Sequence, residues 1–152
     1  MEELDDELLL KIQKLSEQGD ALAEDGKFSE ALSFYWDAYD TIPKPKTEWE
    51  ATTWLLAAIG DANFLSADFE AGMQNLSNAM HCPNAIGNPF LHLRLGQCQF
   101  ELGNLDRAAN ELTRAYALEG EELFADDDTK YFEFLKTKIK LEKPKKKPWW
   151  KF

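Results

Sequence analysis

Apolar positions recur along this chain with a helical period. Leu8, Ile12, Leu15 and Leu22 make one stripe, and Phe28, Ala31, Leu32, Tyr35, Ala38 and Tyr39 make another, at steps of three and four. Nothing alternates with period two for long enough to argue for a sheet. The pattern predicts a first helix over about 4–25, ended by Gly26, and a second over about 28–41. Pro43 and Pro45 stop the second, because proline cannot continue a helix and biases the residue before it away from one. Thr47 with Glu50 three residues on makes a capping-box pattern, which starts a third helix running to about Leu65. Ser66-Ala67-Asp68 turns into a fourth over about 69–81, broken at Pro83. Asn88 and Pro89 open a fifth, proline being tolerated in the first turn, and Gly103-Asn104 turn it into a sixth over about 105–118. The acids Asp126, Asp127 and Asp128 suit the N-terminus of a seventh helix, which runs to about Glu142 before Pro144.

Three of these helix pairs carry the same small-residue signature. Gly19, Ala31 and Ala38 are matched by Gly60, Gly72 and Ala79, and again by Gly96, Ala108 and Ala115, each with offsets of twelve and then seven. Glycine inside a helix costs up to about 1 kcal/mol relative to alanine, so it needs a reason, and close helix crossing supplies one. The sets start 41 and 36 residues apart, the spacing of a stacked helix-pair array. The expected architecture is all-α, an α-solenoid of three pairs over 1–142 with the seventh helix as a C-terminal cap. Tyr131, Phe132, Leu135 and Ile139 would cover the last pair, with Lys130, Lys136 and Lys140 towards water.

Charge sharpens this picture. The 152 residues hold 28 Asp and Glu against 17 Lys and Arg, a formal net of −11. Five of the lysines fall in 143–152, which has no acid, so residues 1–142 carry 12 bases against 28 acids, a net of −16. A body this acidic disfavours direct binding to nucleic acid, which is won by cations meeting phosphates; the charge serves solubility or, in the sharper reading, suits a basic partner. No apolar run follows a basic start and none reaches eighteen residues, so neither a signal peptide nor a membrane span is expected. Cys82 and Cys98 then read as reduced thiols of a cytoplasmic protein.

Candidate chemistry is sparse. His81, Cys82, His92 and Cys98 lack the paired spacing of a structural zinc site, and His92 and Cys98 read as packing residues of the fifth helix. No nucleophile motif, phosphate-cradling glycine loop or H-E-x-x-H is present. Adjacent acids read as solvated helix starts, so neither metal, cofactor nor enzyme activity is expected.

The repeat resembles the tetratricopeptide family, a helix–turn–helix unit of 34 residues. Leu15, Gly19, Leu22, Gly26, Ala31, Tyr35, Ala38 and Pro43 match its pattern, as do His92, Leu95, Gly96, Gly103, Ala108, Leu112 and Ala115. Repeat two is weaker, with Leu56, Ile59, Gly60, Leu76 and Ala79, Gly72 where alanine is usual, and Ala67 in place of the turn glycine. The resemblance covers about 12–120 and implies a concave groove lined by the first helix of each pair. By that register the candidate partner-binding residues are Asp20, Glu24, Trp54, Asp61, Phe90, Arg94, Gln97 and Glu101. Members that clamp a terminal carboxylate use Lys and Asn where this chain has Ser16 and Asp20, so that role is not expected. Carboxylates beside Trp54 and Phe90 instead suit lysine or arginine.

Trp49, in the long connection before the third helix, is the more exposed aromatic candidate. The basic tail, with Lys145, Lys146, Lys147, Trp149 and Trp150, is a second site, able to dock on the acidic body, to lie on an anionic membrane or to touch nucleic acid, with docking on the body favoured by the opposite charge. The expected function is non-enzymatic protein binding, in the first place by an acidic immunity-type protein that neutralises a basic toxin domain. The alternative is an adaptor or chaperone that holds an extended peptide in the groove.

Overall fold

The computed structural model describes residues 3–140, so the 143–152 tail lies outside the described residues. Seven α-helices and two short 3₁₀ turns make up the described residues, with no strand among them. They are α1 (Asp6–Glu24), α2 (Phe28–Thr41), α3 (Glu50–Leu65), α4 (Phe69–Ala79), α5 (Pro89–Glu101), α6 (Leu105–Glu119) and α7 (Thr129–Lys136). Consecutive helices pack antiparallel-fashion as pairs, α1 with α2, α3 with α4 and α5 with α6, and each pair then stacks on the next.

Stacking sets the burial. α3 buries nine of its residues and α5 eight, because each has neighbours on both sides, whereas α1 buries only Ile12 and Gly19. The core runs without a break from Ile12 through Leu55, Ile59 and Leu76 to Leu91 and Cys98. A second cluster of Leu93, Leu112, Ala115, Phe124 and Leu135 lies beneath the cap. Fully burying a leucine contributes about 1.5–3 kcal/mol, so Leu76, Leu112 and Leu135, all at 0% exposure, are principal anchors.

The small-residue signature marks the crossings within and between pairs. A methyl group on Gly96 would lie 2.8 Å from Leu112 Cδ2 and 3.1 Å from the Leu112 backbone nitrogen. Gly72, which takes the place of the usual alanine, faces the following pair: a Cβ there would lie 2.9 Å from Cys98 Sγ. The bulkier thiol on α5 thus accounts for the smaller residue on α4.

The turns inside the pairs share a left-handed residue, Gly26 at φ +76° and Gly103 at φ +80°. Ala67 holds the same conformation at φ +62°, so the turn survives without its glycine. The cost is the clash of Cβ with the backbone that L-residues meet there.

Three local expectations are corrected. Thr47 does not cap the third helix: it lies in a 3₁₀ turn, Lys46–Glu48, and α3 begins at Glu50 behind Trp49, with no side-chain cap. Lys46 folds back instead, donating from Nζ to the Tyr39 and Ile42 carbonyls at 2.8 and 2.5 Å, which neutralises the carbonyl end of α2. Trp49 is half-buried against the core, its Nε1–H donating to the Pro43 carbonyl at 2.9 Å, so it is not the exposed indole. The seventh helix ends at Lys136, well before 142, where Thr137 Oγ1 donates to the Phe134 carbonyl in a closing turn. A 3₁₀ turn at Glu121–Phe124, unforeseen in the apolar pattern, tucks Phe124 under the cap before α7.

His92 and Cys98 are packing residues, at 2% and 0% exposure. His92 is bonded at both ring nitrogens, Nδ1 to Glu111 Oε2 at 2.6 Å and Nε2 accepting from the Gly87 N–H at 3.0 Å. No helix of the described residues is long and apolar enough to cross a membrane.

Candidate partner-binding groove

The first helices of the pairs, α1, α3 and α5, present the groove positions, and the groove divides into two unlike halves. At the C-terminal half the segment from Asp127 to Tyr131 bonds to residues of α5 and packs on α3 through the Tyr131 ring. Arg94 on α5 stands at its centre. Its Nε donates to Asp61 Oδ1 at 2.7 Å, and its Nη1 donates to Asp127 Oδ1 at 3.0 Å and to Gln97 Oε1 at 2.8 Å. The guanidinium also lies 4.4 Å from the Phe64 ring centroid and 5.2 Å from that of Phe90. Burial works against the charge on Arg94, but Asp61 and Asp127 outweigh it and its pKa rises.

Neighbouring residues complete this closure. Gln97, at 0% exposure, donates from Nε2 to Asp127 Oδ2 at 3.0 Å. Glu101 accepts from the Tyr131 hydroxyl at 2.7 Å and pairs with Lys130 at 2.5 Å. The Tyr131 ring packs on both Phe64 and Phe100. Burial, then the bond to Glu101, pushes the Tyr131 hydroxyl far up. Of the residues expected to meet a partner, Arg94, Gln97 and Glu101 are therefore held by their own chain, and Asp61 is shared with Arg94.

The N-terminal half is open. Residues of α1 and α3 border a cleft of about 410 Å³ with Ile12, Leu55 and Ala58 at its floor and Glu17 and Asp20 at its edge. Asp20 is placed by Tyr35, whose hydroxyl donates to Oδ1 at 2.6 Å; burial first, then that bond, raises the Tyr35 hydroxyl. Trp54 stands 55% exposed on α3 with no aromatic partner among the described residues. On its far side it borders a second cleft of about 590 Å³, where Leu4, Leu9 and Pro83 meet Asp6, Glu48 and Glu50. Asp20 also borders a third hollow with Glu24 and Asp61. Among the described residues, no lysine or arginine lines any of the three.

The expected residues Asp20, Glu24, Trp54 and Asp61 border these hollows, beside Glu17 and Leu9, which were not among the expected residues, and residues 127–131 pack on the other half unforeseen. Glu17 and Leu9 lie on the same face of α1 as Asp20 and were within reach of the helical register. Asp127 was not, since its contact with Arg94 spans 33 positions and its acidity was explained by the helix start beside it.

No protein-family model matches the sequence, and no curated protein matches it. Solved structures do match the fold. The tetratricopeptide domain of Arabidopsis OM64 superposes with a TM-score of 0.68 at 18% identity, over 86% of this chain and 95% of that one. The second such domain of human RPAP3, in complex with an HSP70 peptide, gives 0.67 at 16%, over 88% and 99%. The Yersinia enterocolitica type III secretion chaperone SycD, in complex with a peptide of the translocator YopD, gives 0.66 at 14%, over 90% and 95%. The chain has the tetratricopeptide-repeat fold, three helix pairs and a closing helix.

Proposed function

We propose that this protein is a non-enzymatic binding module that receives an extended segment of a partner protein on the open α1–α3 half of its groove. The observation that carries this reading is the exposed Trp54 between two apolar clefts with carboxylate edges, an uncommon surface for a large indole to occupy without a partner. Structures of the same fold in complex with peptides, SycD with a peptide of YopD and RPAP3 with an HSP70 peptide, support the reading that an extended segment is bound. This is the adaptor or chaperone role.

The immunity-type role differs in its partner, a folded basic toxin domain, and draws its support from the net charge of −11. Salt separates the two. A folded basic partner met mainly by long-range charge associates at a rate that falls steeply with ionic strength. A segment seated on the apolar floor depends more on its side chains. Backbone NMR titration with candidate partners tests the proposal: shifts confined to α1 and α3 are expected, and shifts spread over the outer helices α2, α4 and α6 would overturn it.

A further inference from the structure

The closed half of the groove displays what its residue set holds. There a guanidinium lies against two aromatic rings and bonds to two carboxylates, all supplied by the chain itself. The open half presents the same components without the cation: the exposed indole of Trp54, with Glu17 and Asp20 to one side and Asp6, Glu48 and Glu50 to the other. None of these five carboxylates forms an ion pair among the described residues.

We infer that the partner segment carries an apolar or aromatic residue flanked by lysine or arginine, with the apolar side chain on the Ile12–Leu55 floor and the cations at the carboxylates beside Trp54. The inference rests on the proposal that a segment binds the α1–α3 face, and names the chemistry of that segment. Three physical terms favour it. The floor is apolar, so burying a side chain there is favourable. A cation over an indole face gains from the ring quadrupole, most strongly for tryptophan. Carboxylates of one sign gathered around low-dielectric walls concentrate the field, which an incoming cation relieves.

The test uses the full chain and three blocked pentapeptides: Gly-Arg-Leu-Lys-Gly, the same peptide with glutamate for both cations, and the same peptide with serine for leucine. Calorimetry is expected to show binding of the first, at least tenfold weaker binding of the other two, and at least tenfold loss of the first with Trp54→Ala. The exposed site of that substitution makes an unchanged melting temperature the control for folding. No binding of the first peptide at millimolar concentration, equal binding of the glutamate peptide, or indifference to Trp54→Ala would overturn the inference. Charge-independent binding that still shifts α1 and α3 resonances would sink this inference and leave the groove proposal standing. Shifts only on the outer helices, away from the residues bordering the two clefts, would sink both. A full chain with Lys145→Glu, Lys146→Glu and Lys147→Glu that binds the cationic peptide tenfold more tightly would make the chain's own basic stretch the occupant, and overturn the assignment to a partner.

Discussion

The ring of Tyr35 lies across the Cα of Gly19, so that a methyl group at position 19 would fall 2.5 Å from Cε1 and 2.7 Å from Cδ1. Leu76 over Gly60 and Leu112 over Gly96 repeat the relationship, with sixteen positions between the partners each time. The large residue of the second helix fills the gap that the missing side chain of the first leaves open. Tyr35 has little room to yield, because its hydroxyl is bonded to Asp20. Gly19→Ala and Gly96→Ala are each expected to lower stability by about 1–3 kcal/mol through overpacking. Urea denaturation followed by circular dichroism reads this directly, and unchanged midpoints for both would remove the crossing from the account.

Ala67 makes the opposite prediction. It is exposed and holds φ +62°, where its Cβ is strained and glycine is not. Ala67→Gly loses some stability to the freer unfolded chain and gains more from the relieved strain, for a net increase of roughly 0.5–1 kcal/mol. A thermal melt shifted upward supports this, and a downward shift contradicts it.

These two cases show why the fold was legible. The Gly, Ala and Ala offsets report helix crossings, which are local to each pair and recur with the repeat. The apolar periods likewise located all seven helices, because stripe and core face are the same residues. What escaped depends on contacts distant in sequence or on competing local bonds. The capping box at Thr47 lost to Lys46 folding back on α2. The groove register placed Arg94, Gln97 and Glu101 facing a partner, with no signal that Asp127, Lys130 and Tyr131 would reach them first.

Arg94 provides a test of that closure. Its side chain is 11% exposed, and removing it takes one bond each from Asp61, Asp127 and Gln97 and leaves both carboxylates without their cation. Arg94→Met is expected to cost on the order of 3 kcal/mol, as for other buried pairs broken from one side. Arg94→Lys should recover little, because a compact ammonium lacks the planar fork that spreads its donors to Asp61, Asp127 and Gln97 and has no flat face to lay against two rings. Hydrogen exchange should show the loss concentrated in 121–136; uniform loosening of all three pairs would contradict the role given to this residue.

Cys98 predicts a pH dependence. Burial pushes its thiol up from 9.0 to about 12. The folded chain therefore keeps a proton that the unfolded chain releases, and stability present below pH 9 is lost as pH rises towards 12. The slope from this one group is at most about 1.4 kcal/mol per pH unit. Cys98→Ala should lose stability less steeply than the unsubstituted protein over that interval. Parallel curves would show that the thiol stays uncoupled from folding.

The bonds around Arg94 also have a mechanical consequence. Stacked helix pairs behave as springs, stretching where neighbouring turns share only greasy contact. Here one guanidinium rivets α3, α5 and the segment before α7 together, while α1 and α2 lean on α3 without an ion pair or side-chain hydrogen bond to it among the described residues. The joint beside the open cleft is thus the one held by packing without polar ties from α1 or α2 to α3. A segment bound as proposed would press on that joint, with the rest of the molecule serving as its frame.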